Sequence, residues 1–345
     1  MDTAAFDISP EKEANFSSFF YRQFFVTPQA VTLDEVDLSG KTAIVTGSNT
    51  GIGLECARQL LDLGLSKLIL AVRDEERGEA AREILAVGHE VSIIEVWWLD
   101  LSYYNSVTKF AARARTLYQL DIVVLNAGVC RSSEVFDEST GYEEDTQVNY
   151  LSNMLLSILI LPVLKSKKVD DRPGRLILVS SHIAAFAKFK ERDEEPLLPI
   201  YKEKSKKPDV YERYATTKLL CQLSFSELAK LVPSSVAIVS LANPGLCYGS
   251  SLLRDSSDSM FRFFSVLAER IIGRSCAVGA RVLVDAAVKH GEEIHGHYME
   301  DCKIRPMAPL LYTPEGEEIA QSLWRELMAE LAFAGVEDII EGLGT

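Results

Sequence analysis

Tyr214 and Lys218 stand four residues apart in a segment with helical spacing. On a helix this separation places both side chains on the same face. A phenol has an ordinary pKa of about 10, which is too high for a base at neutral pH, and an adjacent ammonium group stabilises the phenolate. Such a pair can move a proton at a carbon that gains or loses a hydride. We therefore predict that Tyr214 and Lys218 are catalytic.

Two further polar residues are candidates for the same site. Ser181 follows an apolar run and is placed to bond and orient a substrate oxygen. Asn149 lies in a long apolar helix, where it could support Lys218 through a water and pass protons to solvent. Neither Tyr211 nor Tyr201 has a lysine four residues further on. We predict a catalytic set of Asn149, Ser181, Tyr214 and Lys218.

A glycine-rich turn follows the first apolar run of the main domain and precedes a helical segment. Its spacing is G-x-x-x-G-x-G, and glycines there let the backbone approach a pyrophosphate closely. The N-terminus of the following helix carries a partial positive charge that favours phosphate. We predict that this turn binds a dinucleotide through Gly47, Ser48, Asn49, Thr50, Gly51, Ile52 and Gly53.

The end of the second predicted strand bears on the choice between the two nicotinamide dinucleotides. An NAD site usually presents an acid there for the ribose hydroxyls, whereas this chain has Val72. Arg73 follows and can pair with a 2′-phosphate, which favours NADP(H) over NAD(H). Asp74 could partly neutralise Arg73. The alternative is that Arg73 is an ordinary surface cation before a helix.

Later strands end in further candidate cofactor contacts. Asp100 and Leu101 are placed to contact the adenine ring. Asn126, Ala127 and Gly128 would line the middle of the cofactor.

Strand-like runs alternate with helical segments from residue 40 onward. Helical connections of about 12 or more residues predict parallel strands with helices on both faces of the sheet. Such sheets bind ligands beyond the carboxyl ends of the strands. The predicted fold class is α/β, a Rossmann-type doubly wound parallel sheet. The predicted strands are Thr42–Thr46, Lys67–Val72, Val91–Trp98, Asp121–Asn126, Arg175–Ser181, Ser235–Leu241 and a last strand near the C-terminus.

We predict one domain with tails. Residues 1–37 form a helical appendage, 38–310 a single Rossmann-type domain, and 311–345 a helical tail. Phenylalanines recur at helical spacing over residues 16–26. They predict a helix docked on the main domain, with a membrane-surface or substrate-covering segment as the alternatives. Within the domain, 188–209 reads as a loop and 246–273 as a lid with an apolar underside, and both are expected to shape the substrate pocket.

Composition limits the possible partners and locations. Of the 345 residues, 47% are hydrophobic, and the net charge of −14 argues against nucleic acid as a partner. Six scattered cysteines indicate a reduced, cytoplasmic protein. We expect no secretory signal. The sequence contains no run of about 18 uncharged apolar residues, so we also expect no transmembrane span. A metal site at His295, His297 and Cys302 lacks a ligand-spacing motif, so we predict no metal and an ordinary strand there.

Together these motifs identify a resemblance. Over roughly residues 38–305 the chain resembles the short-chain dehydrogenase/reductase family. It looks most like the branch of the retinol dehydrogenases and WW-domain oxidoreductases, and like fungal reductases of secondary metabolism. The matching pieces are the glycine turn at 46–53, Asn126-Ala127-Gly128, Asn149, Ser180-Ser181, Tyr214 to Lys218 and Pro244-Gly245.

The resemblance implies a sheet of about seven strands and an Asn-Ser-Tyr-Lys catalytic set. It adds Pro244 and Gly245 to the expected cofactor contacts, and it favours Ser181 over Ser180 at the site. The interval from Ser181 to Tyr214 is longer than in simpler members of the family.

The expected function is NADPH-dependent reduction of a ketone or aldehyde on a lipophilic small molecule. Two alternatives remain at this point. The fold could carry altered chemistry, such as epimerisation or dehydration, or it could serve as a non-catalytic NADP(H)-binding sensor or scaffold. A homodimer and a peripheral membrane contact through residues 16–26 are the other expected partners.

Overall fold

The computed structural model describes residues 6–169, 172–250 and 272–344. Its centre is a sheet of eight strands in the order β10-β9-β6-β5-β4-β1-β2-β3. The strands of this sheet are β1 Thr42–Thr46, β2 Lys67–Val72, β3 Ile93–Trp98, β4 Ile122–Leu125, β5 Gly174–Val179, β6 Ala237–Asn243, β9 Tyr298–Glu300 and β10 Lys303–Arg305. A separate parallel pair consists of β7 Cys247–Tyr248 and β8 Arg274–Ser275.

All neighbouring strands of the sheet are parallel except the last pair. Val45 of β1 lies opposite Leu70 of β2 on one side and Val124 of β4 on the other. Only β10 runs antiparallel, next to β9 at the edge. The predicted doubly wound fold is confirmed, and the eighth strand is this short edge strand that the sequence did not indicate.

Helices cover both faces of the sheet and explain why its strands are continuous apolar runs. Alternate residues of β1 belong to different cores, with Ile44 on one face and Ala43 and Val45 on the other. The longer helices are Phe16–Phe25, Gly51–Asp62, Glu75–Ala86, Tyr104–Ala114, Asn153–Lys167, Val210–Leu231, Cys276–Val288 and Pro314–Glu330; the short ones are Pro10–Glu13, Glu144–Thr146 and Val336–Glu341.

The helical stretch over Glu144–Lys167 is the longest apolar element. By length and mean hydropathy (1.5) it could cross a membrane, but 94% of its apolar window is buried inside the protein. It is therefore a core helix, as the sequence predicted. A six-residue π-helical turn, Gln147–Ser152, interrupts it.

The phenylalanine-rich segment is a helix docked on the main domain. Gln23 clamps the backbone after β6, because its amide donates to the Leu246 carbonyl (2.7 Å) and accepts from the Leu246 N–H (3.3 Å). Arg274 donates to the carbonyl of Arg22 (3.2 Å) and to that of Val26 (3.3 Å) near the end of the helix. The predicted docking is confirmed.

A buried ion network anchors the same helix. The Arg22 guanidinium lies 2.6 Å from Glu13 and 3.3 Å from Glu300, and its Nη2 lies 3.2 Å from His182 Nδ1. Glu13, His182 and Glu300 are metal-ligating residue types clustered together. Arg22 contacts all three, so its guanidinium supplies the positive charge beside the two carboxylates.

The predicted loop at 188–209 is confirmed apart from a short 3₁₀ helix, Leu198–Lys202, in which Tyr201 is fully buried. The predicted strand at His295 and His297 is wrong, since both precede β9; His295 instead contacts the Ala229 carbonyl through Nε2. The expected lid at 246–273 lies largely outside the described residues.

Candidate active site

A cavity of about 800 Å³ opens at the carboxyl ends of the parallel strands. Every strand from β1 to β6 contributes residues at or just after its end. All but three of the predicted site residues line the cavity: Gly47, Asn49, Thr50, Gly51, Ile52, Arg73, Asp100, Leu101, Asn126, Ala127, Gly128, Ser181, Tyr214, Lys218, Pro244 and Gly245. Ser48, Gly53 and Asn149 are buried behind its wall.

The glycine turn has a backbone that only glycine adopts readily. Gly47 and Gly51 have φ angles of +64° and +60°. A Cβ on Gly53 would lie 2.5 Å from the Gly47 carbonyl oxygen and from Asn126 Nδ2. Ser48 stabilises the turn from inside by donating to the Val45 carbonyl (2.8 Å). The turn is thus a narrow backbone cradle at the start of the helix Gly51–Asp62, which fits a pyrophosphate.

The end of β4 braces this cradle. Asn126 donates its side-chain amide to the Thr46 carbonyl (2.9 Å), and the Ala127 N–H donates to Thr46 Oγ1 (2.9 Å). The Asn126 side chain therefore holds the turn in addition to lining the cavity.

Charged residues gather at the end of β2. Asp74 caps the next helix by accepting from the Arg77 N–H (3.1 Å) and pairs with the Arg77 side chain (3.2 Å). It is thus engaged with Arg77 rather than with Arg73. The Arg73 side chain is 58% exposed, and the nearest acid is Glu144 at 4.0 Å. Glu144 itself accepts from Arg131 (2.8 Å).

Tyr214 and Lys218 share one face of the helix Val210–Leu231 at the cavity wall. Lys218 Nζ lies 5.8 Å from the centre of the Tyr214 ring and donates to the Val179 carbonyl at the end of β5 (3.0 Å). Burial lowers the pKa of Lys218 and raises the pKa of Tyr214 well above its ordinary range, with Cys130 and Asp145 adding to the rise. Burial thus favours the protonated form of the Tyr214 phenol.

Asn149 sits in the π-helical turn, a feature that often marks functional sites. Its side chain accepts from the Val129 N–H and donates to the Val129 carbonyl, both at 2.8 Å. It also donates to Thr217 Oγ1 (3.2 Å), next to Lys218 in the chain. Its backbone carbonyl accepts from the Cys221 thiol (3.1 Å). Asn149 therefore joins the loop after β4 to the helix that carries Lys218.

The two serines after β5 have different surroundings. Ser180 is buried and accepts from the Gln222 side chain (3.1 Å). Both serines line the cavity, but Ser181 is partly exposed and accepts a long bond from the Ile183 N–H (3.4 Å). Its hydroxyl can therefore reach a ligand oxygen, which supports Ser181 as the site serine.

Comparison with known proteins decides the family. The family model for short chain dehydrogenases matches residues 41–191. Short-chain dehydrogenase fogG of Aspergillus ruber is 52% identical over 98% of both chains, and short chain dehydrogenase/reductase mfmJ of Annulohypoxylon moriforme is 42% identical over 98% of both. The chain belongs to the short-chain dehydrogenase/reductase family.

A solved structure agrees on the fold of this short-chain dehydrogenase. It is a putative uncharacterized protein from Mycobacterium paratuberculosis, 22% identical, with a TM-score of 0.62 over 88% of this chain and 98% of that one. Members of the family are oxidoreductases that bind NAD or NADP and act on small molecules. The predicted resemblance to the family and to fungal relatives is confirmed.

Two residues near the short-chain dehydrogenase site were not predicted from the sequence. Asp145 is buried four residues before Asn149, and burial raises its pKa to about 7 although it accepts the Arg131 N–H. Arg77 joins Arg73 at the cavity. Phe16 and Phe19 of the N-terminal helix also line it, in agreement with the substrate-covering alternative for residues 16–26. Spacing could have indicated Asp145, because residues four apart share a helix face.

One expected contribution to the cavity is wrong. None of residues 188–209 lines it, because this insertion packs on the helical tail. Glu326 there accepts the backbone N–H groups of Leu197 and Leu198 at 2.9 and 2.8 Å.

Proposed function

We propose that this short-chain dehydrogenase is an NADPH-dependent reductase of a ketone or aldehyde on an apolar small molecule. The observation that carries the proposal is the meeting of Ser181, Tyr214 and Lys218 in one cavity with the glycine turn. An oxidation of the corresponding alcohol is the same chemistry in reverse. The test is NADPH oxidation with a panel of aldehydes and ketones, with the alcohol product identified. A product formed without net NADPH consumption would point to altered chemistry instead.

The proposed roles follow from the positions of the side chains. Bound NADPH supplies the hydride to the carbonyl carbon. Ser181 donates a hydrogen bond to the substrate oxygen and fixes its position. Tyr214 transfers its phenolic proton to the oxygen as the C–O double bond becomes single, so that the product is a neutral alcohol. Lys218, with Asn149, is proposed to return a proton to Tyr214.

The pH dependence should differ between the two directions. Reduction uses protonated Tyr214, which is present below its raised pKa, and charged Lys218, which is lost early because its pKa is lowered. Oxidation uses the deprotonated phenol. We expect kcat/KM for alcohol oxidation to rise from pH 7 to 10 while that for reduction does not rise. An oxidation profile that is already flat at pH 7 would contradict this.

Asp145→Asn provides a variant for the same experiment. The Asp145 charge raises the pKa of Tyr214. Removing the charge should therefore shift the rising limb of the oxidation profile towards lower pH. Glu227→Gln, on the same helix as Tyr214 but away from the cavity, is the control and should leave the limb in place.

The proposed preference for NADPH rests on Val72 and Arg73 at the end of β2. With no acid there for the ribose hydroxyls, a 2′-phosphate can pair with the exposed Arg73 guanidinium. Arg73→Ala should raise the KM for NADPH by about 10- to 100-fold, the range of a charged hydrogen-bond pair, and change the KM for NADH little. Arg82→Ala, on the next helix and outside the cavity, is the control. Equal losses with both cofactors would refute the preference.

A further inference from the structure

Four aromatic rings from two distant parts of the chain meet at the cavity. Phe16 of the N-terminal helix stacks on Phe186 with ring centres 4.3 Å apart and planes 8° apart. Phe19 of the same helix stacks on His182 at 5.6 Å. His182 in turn meets Phe186 edge to face at 5.2 Å. All four residues line the cavity, and we call them the four-ring cluster.

The four-ring cluster begins next to the residue proposed to hold the substrate oxygen. His182–Phe186 is a 3₁₀ helix whose N-cap is Ser181. At about 2 Å per residue, this turn extends roughly 10 Å from Ser181 to Phe186. A group attached to a carbonyl whose oxygen rests on Ser181 can therefore run along the turn and reach the rings.

Charge is distributed unequally between the two ends of the cavity. Arg73, Asp74 and Arg77 follow β2, at the end where the cofactor phosphates are proposed to bind. Around the four-ring cluster the other lining side chains include Ile183 and Leu246, which are apolar. The substrate end is thus built mainly of rings and aliphatic groups.

Contacts of Gln23 and Arg22 with residues of the cavity wall hold the rings in place. Gln23 binds both backbone groups of Leu246, and Arg22 joins Glu13 and Glu300 to His182. The contact between Arg22 and His182 Nδ1 fixes the orientation of the imidazole, because rotation of the ring would break the ion network. Rings fixed before binding lose little side-chain entropy when a ligand arrives.

We propose that the four-ring cluster is the substrate-recognition wall and that it selects carbonyl compounds that carry an aromatic ring on a short spacer beyond the reacting C=O group. This inference rests on the proposed reductase function and adds the substrate class. An aromatic ligand gains stacked or edge contacts with such rings beyond the burial of its area, and a saturated ring of similar size does not. Phe16 and Phe19 are specificity-determining residues in this arrangement.

The experiment compares 3-phenylpropanal with 3-cyclohexylpropanal as substrates of the full-length protein with NADPH. The measured quantity is the ratio of the two kcat/KM values, which cancels any general loss of activity. Phe19→Leu and Phe16→Leu keep apolar volume and remove the ring. Each should lower the preference for the aromatic substrate by about 2- to 12-fold, the range of one aromatic contact. Phe16 is 63% exposed, so Phe16→Leu should fold even if Phe19→Leu does not.

Phe25→Leu is the matched control. Phe25 lies on the same helix, is 76% exposed and does not line the cavity, so this variant should retain the wild-type ratio. A ratio unchanged in Phe16→Leu overturns the inference while leaving the reductase proposal intact. If the wild-type protein consumes NADPH with neither aldehyde nor with any other carbonyl compound, the proposed function itself fails, and the two failures are distinguished.

Discussion

Replacing Tyr214 with phenylalanine is expected to reduce carbonyl reduction by about 10²- to 10⁴-fold, the usual contribution of a general acid. The substitution removes one oxygen and keeps the ring that packs beside Lys218. No other tyrosine of the described residues lines the cavity, so no second phenol can replace the proton donor. The hydride would then reach a carbonyl whose developing negative charge only Ser181 contacts.

The measurement is steady-state kcat/KM together with NADPH binding followed by fluorescence. Binding should persist, because the glycine turn is untouched. Tyr211→Phe is the matched control, as it makes the same change one turn earlier on the helix at a residue outside the cavity. Its activity should equal that of the wild type. A Tyr214→Phe protein within tenfold of wild-type activity would refute the proposed mechanism.

Arg22→Met is expected to lower the free energy of unfolding by about 3–5 kcal/mol, the cost of leaving buried charges without their partner. Arg22 is 5% exposed, and Glu13, Glu300 and Asp301 around it are buried as well. Against the opposing effect of burial, the His182 hydrogen bond and the charges of His182 and Arg22 lower the pKa of Glu300 to about 2. The Glu300 carboxylate therefore stays ionised, and the loss of the Arg22 cation would leave it buried without that partner.

Urea unfolding at pH 7 measures this change. Arg58→Met is the control, because Arg58 is partly exposed and pairs with Glu55 on its own helix; it should cost less than about 0.5 kcal/mol. The contribution of Glu300 should be complete above pH 4.5 and disappear as the pH falls towards 2, since its folded pKa is the lowered one. An Arg22→Met protein as stable as Arg58→Met would show that the network contributes little.

Sequence alone predicted the elements that position the catalytic residues. β1 and β2 were predicted at their observed bounds, because each is an unbroken apolar run that a parallel sheet covered on both faces requires. The four-residue spacing of Tyr214 and Lys218 predicted that both lie on one helix face, because residues four apart are neighbours on a helix surface. Local pattern was sufficient wherever the determining contacts are close in sequence.

Contacts between residues far apart in the chain could not be predicted from local sequence patterns. Arg22 on a phenylalanine-rich helix reads as an isolated surface cation, yet its partner Glu300 is 278 residues away in sequence. The membership of Phe16 and Phe19 in the cavity wall depends on the same docking. No periodicity within residues 16–26 identifies which surface of the domain the helix will meet.

Electrostatic surroundings were also unpredictable from residue types. The spacing of Tyr214 and Lys218 does not indicate how strongly burial raises the pKa of the Tyr214 phenol. The cause includes Asp145, whose carboxylate only the fold brings near. The π-helical turn at Asn149 has no signature in composition either, since it depends on how the long helix meets the loop after β4.

The docked ten-residue helix adds an element from outside the sheet to the cavity wall. In the proposed mechanism, proton transfer depends on groups that the strands and the helix Val210–Leu231 hold, whereas two of the four rings of the four-ring cluster lie on Phe16–Phe25. Exchange of this leading segment between related proteins would therefore alter which molecules are accepted and leave the reaction itself unchanged. Ligand range can diversify in such a lineage by swapping one short peptide.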